Sequence, residues 1–149
     1  MSTFKQRKTQ RALRAGLIGT AAFVALWAFA GAFGLISGGA DLGPEITPRL
    51  PYSSPVLAGL LLATIVGVPM ATTAILALRA RPSAALAGMI SGALLAGWVA
   101  VQPLVIGQFH WLQPVFGLLG LAVGLLGYRL HRPASGLGTP HFPFGASPA

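Results

Sequence analysis

The sequence contains no cysteine, and only two of its 149 residues are acidic, Asp41 and Glu45. Without cysteine, the chain can hold no disulfide, thiolate nucleophile, iron–sulfur cluster or Cys-ligated zinc. Lys, Arg, Asp and Glu together make up 8% of the chain, whereas soluble domains have about 25%. Mean hydropathy is +0.75. A soluble domain of this size could not cover its surface with so few charges, so the composition indicates a membrane protein.

Four apolar runs each have close to the ~20 residues that a helix needs to cross the hydrocarbon layer. We predict transmembrane helices over residues 15–36, 56–78, 83–104 and 109–128, and no Lys, Arg, Asp or Glu lies inside these limits. Such long runs favour helices over the short alternating strands of a barrel. The predicted fold class is an all-α integral membrane bundle of four transmembrane helices.

The segments outside the four runs have their own composition. Residues 1–14 form a basic N-terminal segment, and we expect the proline- and glycine-rich residues 129–149 to be a disordered tail. Prolines and glycines in residues 37–54 predict turns and extended pieces. The first apolar run is longer than the 7–15 residues of a cleavable signal core. We therefore expect the first helix to be retained.

Basic residues predict the orientation of the bundle. Nine of them lie on one side of the four predicted helices, and only Arg49 lies on the other. The nine are Lys5, Arg7, Lys8, Arg11, Arg14, Arg79, Arg81, Arg129 and Arg132. Because cytoplasmic loops carry the excess of Lys and Arg, we predict that both termini are cytoplasmic. The N-terminal cluster is expected to contact anionic lipid headgroups rather than nucleic acid.

Small residues recur at helical spacing in the predicted helices. In lipid, close approach of backbones and van der Waals contact drive helix association, and small residues permit that approach. The positions with this spacing include Gly59, Gly67, Gly88, Gly92, Gly120 and Gly124. They predict either packing within one four-helix bundle or an interface between two copies.

Pro69 lies inside the second predicted helix and frees the carbonyl of Ile65. The neighbouring hydroxyls of Thr72 and Thr73 are candidates to support the kinked turn. The proline is either a static kink or the hinge of a transporter.

A polar patch is predicted between the third and fourth helices, where two Gln-Pro dipeptides lie on either side of a short connection. It comprises Gln102, His110, Trp111 and Gln113. The amides either satisfy carbonyls freed by Pro103 and Pro114 or line a small polar pocket for a ligand such as a quinone headgroup. Trp98 and Trp111 are candidate anchors at the membrane interface.

No motif for catalysis, a metal or a cofactor is present. Cation-coupled pumps place ionisable side chains inside their spans, and this chain has none there. Asp41 and Glu45 lie in a proline-rich loop without a partner base or metal ligand. His131 and His141 are expected on the cytoplasmic side of the membrane, too far from His110 at the outer side to share a haem or zinc with it. We therefore expect neither enzymatic activity nor a cofactor.

Three short motifs resemble a known group of proteins. They are Tyr52-Ser53-Ser54-Pro55 before the second helix, Gly67-Val68-Pro69-Met70 within it, and Gly97-Trp98 in the third. These are similar to segments of small uncharacterised four-helix membrane proteins of high-GC Gram-positive bacteria (actinobacteria). The resemblance covers about half of the chain, residues 50–80 and 92–127. The resemblance implies a location in a bacterial plasma membrane and a count of four helices, and it brings no activity or functional residue.

The sequence favours a non-enzymatic accessory or scaffold component, either a homo-oligomer or the partner of a larger membrane protein. The alternatives are a small oligomeric transporter or channel, and a lipid- or quinone-binding module. A transporter would need a continuous polar path through the bundle. The residues available for such a path are Thr64, Thr72, Thr73, Ser91 and Gln102.

Overall fold

The computed structural model describes residues 2–40, 43–107 and 111–132. Across these ranges, the regular structure is helical throughout. Four helices in the described ranges are long and apolar enough to cross a membrane: Phe4–Ile36, Pro55–Leu78, Ser83–Leu104 and Leu112–His131. The prediction of an all-α fold with four candidate transmembrane helices is therefore confirmed. The predicted tail beyond residue 132 lies outside the described residues.

Helix α1 runs over Ser2–Ile36 as one continuous element. The basic segment is thus part of the first helix, which begins well before the predicted residue 15. Lys, Arg, Gln, Ala and Leu dominate this segment and are good helix formers, and neither proline nor glycine precedes Gly16. Thr9 adds no break, because its hydroxyl donates to the Lys5 carbonyl at 3.1 Å within the helix.

The segment between the first two spans is more helical than predicted. It contains the single turn α2, Gly43–Ile46, and two 3₁₀ turns, Thr47–Arg49 and Pro51–Ser53. The expected turns are therefore present, and Leu50 and Ser54 beside them are extended. The turns are helical ones, because proline is tolerated in the first turn of a helix. Leu50, between the two 3₁₀ turns, is buried.

The second span consists of α3, Pro55–Leu62, a π-helical turn over Ala63–Gly67, and α4, Val68–Leu78. Ser54 caps α3 by accepting a hydrogen bond from the Leu57 amide at 3.3 Å. The π turn immediately precedes Pro69. A proline ring clashes with the carbonyl four residues before it, so widening the preceding turn makes room for the ring.

Helices α5, Ser83–Ile106, and α6, Leu112–His131, form the third and fourth spans. Helix α5 contains Pro103 and ends at Gly107, which adopts a left-handed conformation. Helix α6 begins three residues later than predicted and also ends later. Its first turn accommodates Pro114, and Arg129 and His131 lie in its last turn, where basic side chains interact favourably with the helix dipole.

The four spans pack in a ring, in which each contacts the next along the chain and α6 returns to α1. One end of this ring, the basic end, contains Arg79, Arg81 and the start of α1; the other, the loop end, contains the described residues 37–40, 43–54, 107 and 111. Small side chains dominate the interior. Its largest fully buried side chains are Leu17, Met70, Val24, Val123 and Thr73. The centre of the bundle is therefore filled by side chains.

Candidate functional site

Helices α5 and α6 are in backbone contact. A Cβ atom added at Gly92 would lie 2.5 Å from both the Gly120 carbonyl oxygen and the Gly124 nitrogen. One added at Gly127 would lie 2.6 Å from the Ala85 carbonyl oxygen. Only glycine fits at these positions, because the neighbouring backbone could not give way without moving a whole helix.

Two further glycines pack the second span against α1. A Cβ at Gly59 would lie 2.9 Å from the Ala32 carbonyl oxygen, and one at Gly67 would lie 3.0 Å from the Phe29 ring. The six glycines singled out from the sequence thus all lie at contacts between helices of the same chain; Gly88 faces Leu17. By contrast, Gly19 and Gly97 have no atom within 4 Å of an added Cβ. The six glycines predicted from helical spacing thus face a neighbouring helix, whereas Gly19 and Gly97 face open space.

The bundle interior contains one buried pair of hydroxyls. Thr73 on α4 and Ser91 on α5 share a hydrogen bond of 2.8 Å between their side-chain oxygens. Their exposed fractions are 0% and 3%. Each hydroxyl thus satisfies the other away from lipid, where an unpaired one would be unfavourable.

The other candidates for a polar path are scattered. Thr72 is exposed and its hydroxyl donates to the Val68 carbonyl at 2.8 Å, so it supports its own helix rather than Ile65. Thr64 is also exposed on the outside of the bundle, and Gln102 is half-buried. Within the described part of the chain, these side chains form no continuous polar stripe with Thr73 and Ser91.

A groove of about 350 Å³ lies between α5 and α6 towards the loop end, and we call it the α5–α6 groove. Its described lining is almost entirely apolar and consists of Ala96, Val99, Ala100, Pro103, Gln113, Pro114, Gly117 and Leu121. Ala100, Pro114 and Leu121 are exposed, so the groove opens to the surface of the bundle. Its apolar lining suits an apolar chain better than a polar ligand.

The predicted polar patch is divided between several environments. Gln113 lines the α5–α6 groove, and its exposed fraction is only 6%. Gln102 is half-buried and is not part of the described lining. Trp111 is 68% exposed, as expected for an interface anchor. His110 lies outside the described residues.

Trp98 is placed differently from the prediction of an interface anchor. The residue is half-buried and packs against the core cluster. Its indole Nε1 is buried and has no hydrogen-bond partner. Spacing alone could not reveal this, because the orientation of the indole follows from tertiary packing.

At the loop end, the Arg49 guanidinium occupies the position towards which a Cβ of Gly107 would project. Gly107 has φ +70°, and its amide donates to the Pro103 carbonyl at 2.9 Å. The basic residue that is isolated from the other nine thus lies at the carboxyl end of α5, where the helix dipole is negative. Sequence analysis missed this contact because the two residues are far apart along the chain.

At the basic end, the cations of α1 are exposed. The exposed side chains are those of Lys5, Arg7, Lys8, Arg11 and Arg14. At the end of the neighbouring helix α6, the Arg132 side chain donates to the Tyr128 hydroxyl and lies 4.7 Å from the centre of the Tyr128 ring. The basic end therefore presents cations both on a projecting helix and at the end of α6.

Within residues 2–40, 43–107 and 111–132, no three His, Asp or Glu side chains come together to hold a metal ion. No family model, curated protein or solved structure matches the chain.

Proposed function

We propose that this protein is a non-enzymatic accessory or scaffold component of a complex in a bacterial plasma membrane, with both termini in the cytoplasm. The observation that carries the proposal is the self-contained interior of the bundle. Helices α5 and α6 meet at backbone distance through Gly92 and Gly127, and the buried hydroxyls of Thr73 and Ser91 satisfy each other. Such an interior supports a stable shape rather than a path for solutes.

The outer surfaces support the same role. Leu112–His131 is the span with the smallest fraction of buried residues. It exposes large apolar side chains along its length, among them Leu118, Leu121 and Leu125. A transporter assembled from several copies would need polar side chains on the faces that line its path. These exposed faces are apolar, which suits lipid or a partner helix.

Nothing in the composition supplies the groups of an intramembrane enzyme. The four spans hold no acidic or basic side chain between residues 15 and 36, 55 and 78, 83 and 106, or 112 and 128. General acid–base catalysis and ion coupling both depend on such groups. Serine and threonine alone would need an activating base.

The experiment that tests the proposal is extraction of the tagged chain from its native membrane in a mild detergent, followed by mass spectrometry of co-purifying proteins. We expect a larger membrane protein at a fixed ratio to this chain. A homo-oligomer without any partner would contradict the accessory role and favour transport or ligand binding. A Gly92→Leu variant is the matched control, because it disrupts the α5–α6 contact and should lose a specific partner.

The α5–α6 groove favours a second candidate function, the binding of a lipid or quinone. It combines an apolar lining with the buried amide of Gln113 near the loop end. The test is lipid extraction and mass spectrometry of the purified protein. If this second function holds, one isoprenoid or lipid species is enriched and is lost in an Ala100→Phe variant, which fills the groove.

A further inference from the structure

One face of α1 combines exposed cations, small residues and apolar residues in a single line. Its members follow one another at intervals of four or three residues, the spacing of one helix face. We call it the outward face of α1, and it comprises Phe4, Lys8, Arg11, Ala15, Gly19, Ala22 and Leu26. All of these residues are exposed. The core side of α1 is formed by other residues, including Leu17, Ala21 and Val24.

The geometry of α1 carries part of this face beyond the lipid headgroups. Residues 15–36 form about 33 Å of helix, enough to cross the ~30 Å hydrocarbon layer. If the helix stands upright, Lys8 lies about 10 Å and Phe4 about 16 Å beyond that layer. The headgroup region adds only about 5–7 Å on each side. Phe4, which is 86% exposed, is therefore placed to contact protein rather than lipid.

Within the membrane, the same face can accept another helix at close range. Gly19 is exposed and has no atom within 4 Å of an added Cβ. Ala15 and Ala22 lie on either side of it, one turn away, and are also exposed. Small residues with open space in front of them permit the backbone approach that drives helix association in lipid.

Charge determines which kind of helix fits. The first turn of α1 has no acidic residue, so the positive end of the helix dipole adds to Lys8 and Arg11. The only acidic residues of the chain, Asp41 and Glu45, follow the opposite end of α1. A second copy in the same orientation would oppose Lys8 and Arg11 with identical cations, which is unfavourable.

We infer that the outward face of α1 docks a transmembrane helix of a different protein, whose extension at the basic end carries Asp or Glu side chains opposite Lys8 and Arg11. This inference rests on the proposed accessory function and specifies its partner surface. The small residues around Gly19 receive the partner helix in the bilayer. Phe4 then contacts the acidic extension beyond the headgroups.

The test is photo-crosslinking of the full chain in its native membrane. The photoreactive residue benzoylphenylalanine replaces Phe4 or Leu26 on the outward face, or Leu118 on α6 as the control. Leu26 and Leu118 are matched, because their exposed fractions are 69% and 66%. We expect benzoylphenylalanine at position 4 and at position 26 to crosslink to the same protein, giving adducts of the same mass. At position 118 it should give no protein adduct. Mapping by mass spectrometry should place the Phe4 crosslink in an acidic segment.

Substitutions then separate the two halves of the surface. Lys8→Gln combined with Arg11→Gln should lower the Phe4 adduct at least five-fold, whereas Lys8→Arg with Arg11→Lys should retain it. Gly19→Leu should lower both adducts at least five-fold. Gly97→Leu is its control, because Gly97 is also exposed with no atom within 4 Å of an added Cβ, and it should leave both adducts unchanged.

Three results would overturn the inference: adducts to phospholipid alone, an adduct to a second copy, or a mapped segment without acidic residues. If a stoichiometric partner co-purifies but crosslinks only through Leu118, the accessory function stands and this surface assignment falls. If no partner co-purifies and none crosslinks, both proposals fail.

Discussion

The side-chain oxygens of Thr73 and Ser91 lie 2.8 Å apart between α4 and α5, and both residues are buried. Each hydroxyl has the other as its hydrogen-bond partner, so these two polar groups are engaged with each other across the helices. In lipid, such bonds hold two particular helix faces together. The pair therefore belongs to the assembly of the bundle, which agrees with a scaffold function.

We predict a measurable coupling between these two hydroxyls. Thr73→Val and Ser91→Ala should each lower the free energy of unfolding by about 1 kcal/mol, because the remaining hydroxyl loses its partner across the helices. The double variant should cost less than the sum, with a coupling of about 0.6 and at most about 1.7 kcal/mol. Reversible unfolding by SDS in mixed micelles gives the unfolding free energy of the parent protein, of the two single variants and of the double variant.

The control for this cycle is Thr72→Val. The Thr72 hydroxyl is exposed and bonds within its own helix, to the Val68 carbonyl at 2.8 Å. Its loss should change the unfolding free energy by less than about 0.5 kcal/mol. A cycle with zero coupling would show that the Thr73–Ser91 bond does not stabilise the bundle.

Gly92 and Gly97 should respond in opposite ways to substitution by alanine. A Cβ at Gly92 would lie 2.5 Å from backbone atoms of α6, whereas one at Gly97 meets no atom within 4 Å. Gly92→Ala should therefore cost about 1–3 kcal/mol through overpacking. Gly97→Ala should be neutral or stabilise by up to about 1 kcal/mol, because alanine favours helix. Thermal unfolding in detergent compares the two, and equal effects would contradict the close packing of α5 on α6.

The existence of the four spans could be predicted from the sequence, because length and apolar composition decide whether a helix can cross a membrane. The role of individual glycines could not. Gly92 and Gly97 both lie in the apolar run of α5, yet only Gly92 faces α6. Helical spacing identifies a face, but the neighbour of that face is determined by how the helices pack.

The apolar runs predicted some helix boundaries better than others. The second span begins at Pro55, one residue before the predicted start, with Ser54 as its cap. Helix α1 begins at Ser2 rather than at residue 15, because an apolar run marks only the part of a helix that crosses the membrane, and the charged residues before it also favour helix. The contact of Arg49 with Gly107 joins segments far apart in sequence, so no local pattern could indicate it.

Gly107→Ala should destabilise the loop end of α5. Gly107 has φ +70°, a conformation that costs a residue with a Cβ about 1–2 kcal/mol. The new methyl group would also meet the Arg49 guanidinium. We expect a loss of about 1–3 kcal/mol in unfolding free energy. Arg49→Gln in the same chain should recover part of this loss by removing the clash. If no stability is recovered, the Arg49 guanidinium does not lie against residue 107.

Orientation can be tested with single cysteines, since the chain has none of its own. Trp111→Cys places a thiol at an exposed position of the loop end, where Trp111 is 68% exposed. Thr9→Cys places one at an exposed position of the basic end. Because Lys and Arg concentrate on the cytoplasmic side, a membrane-impermeant maleimide should label Trp111→Cys in intact cells and Thr9→Cys only after permeabilisation. The reverse pattern would place the basic end outside and remove the cytoplasmic setting on which the proposed partner surface of α1 depends.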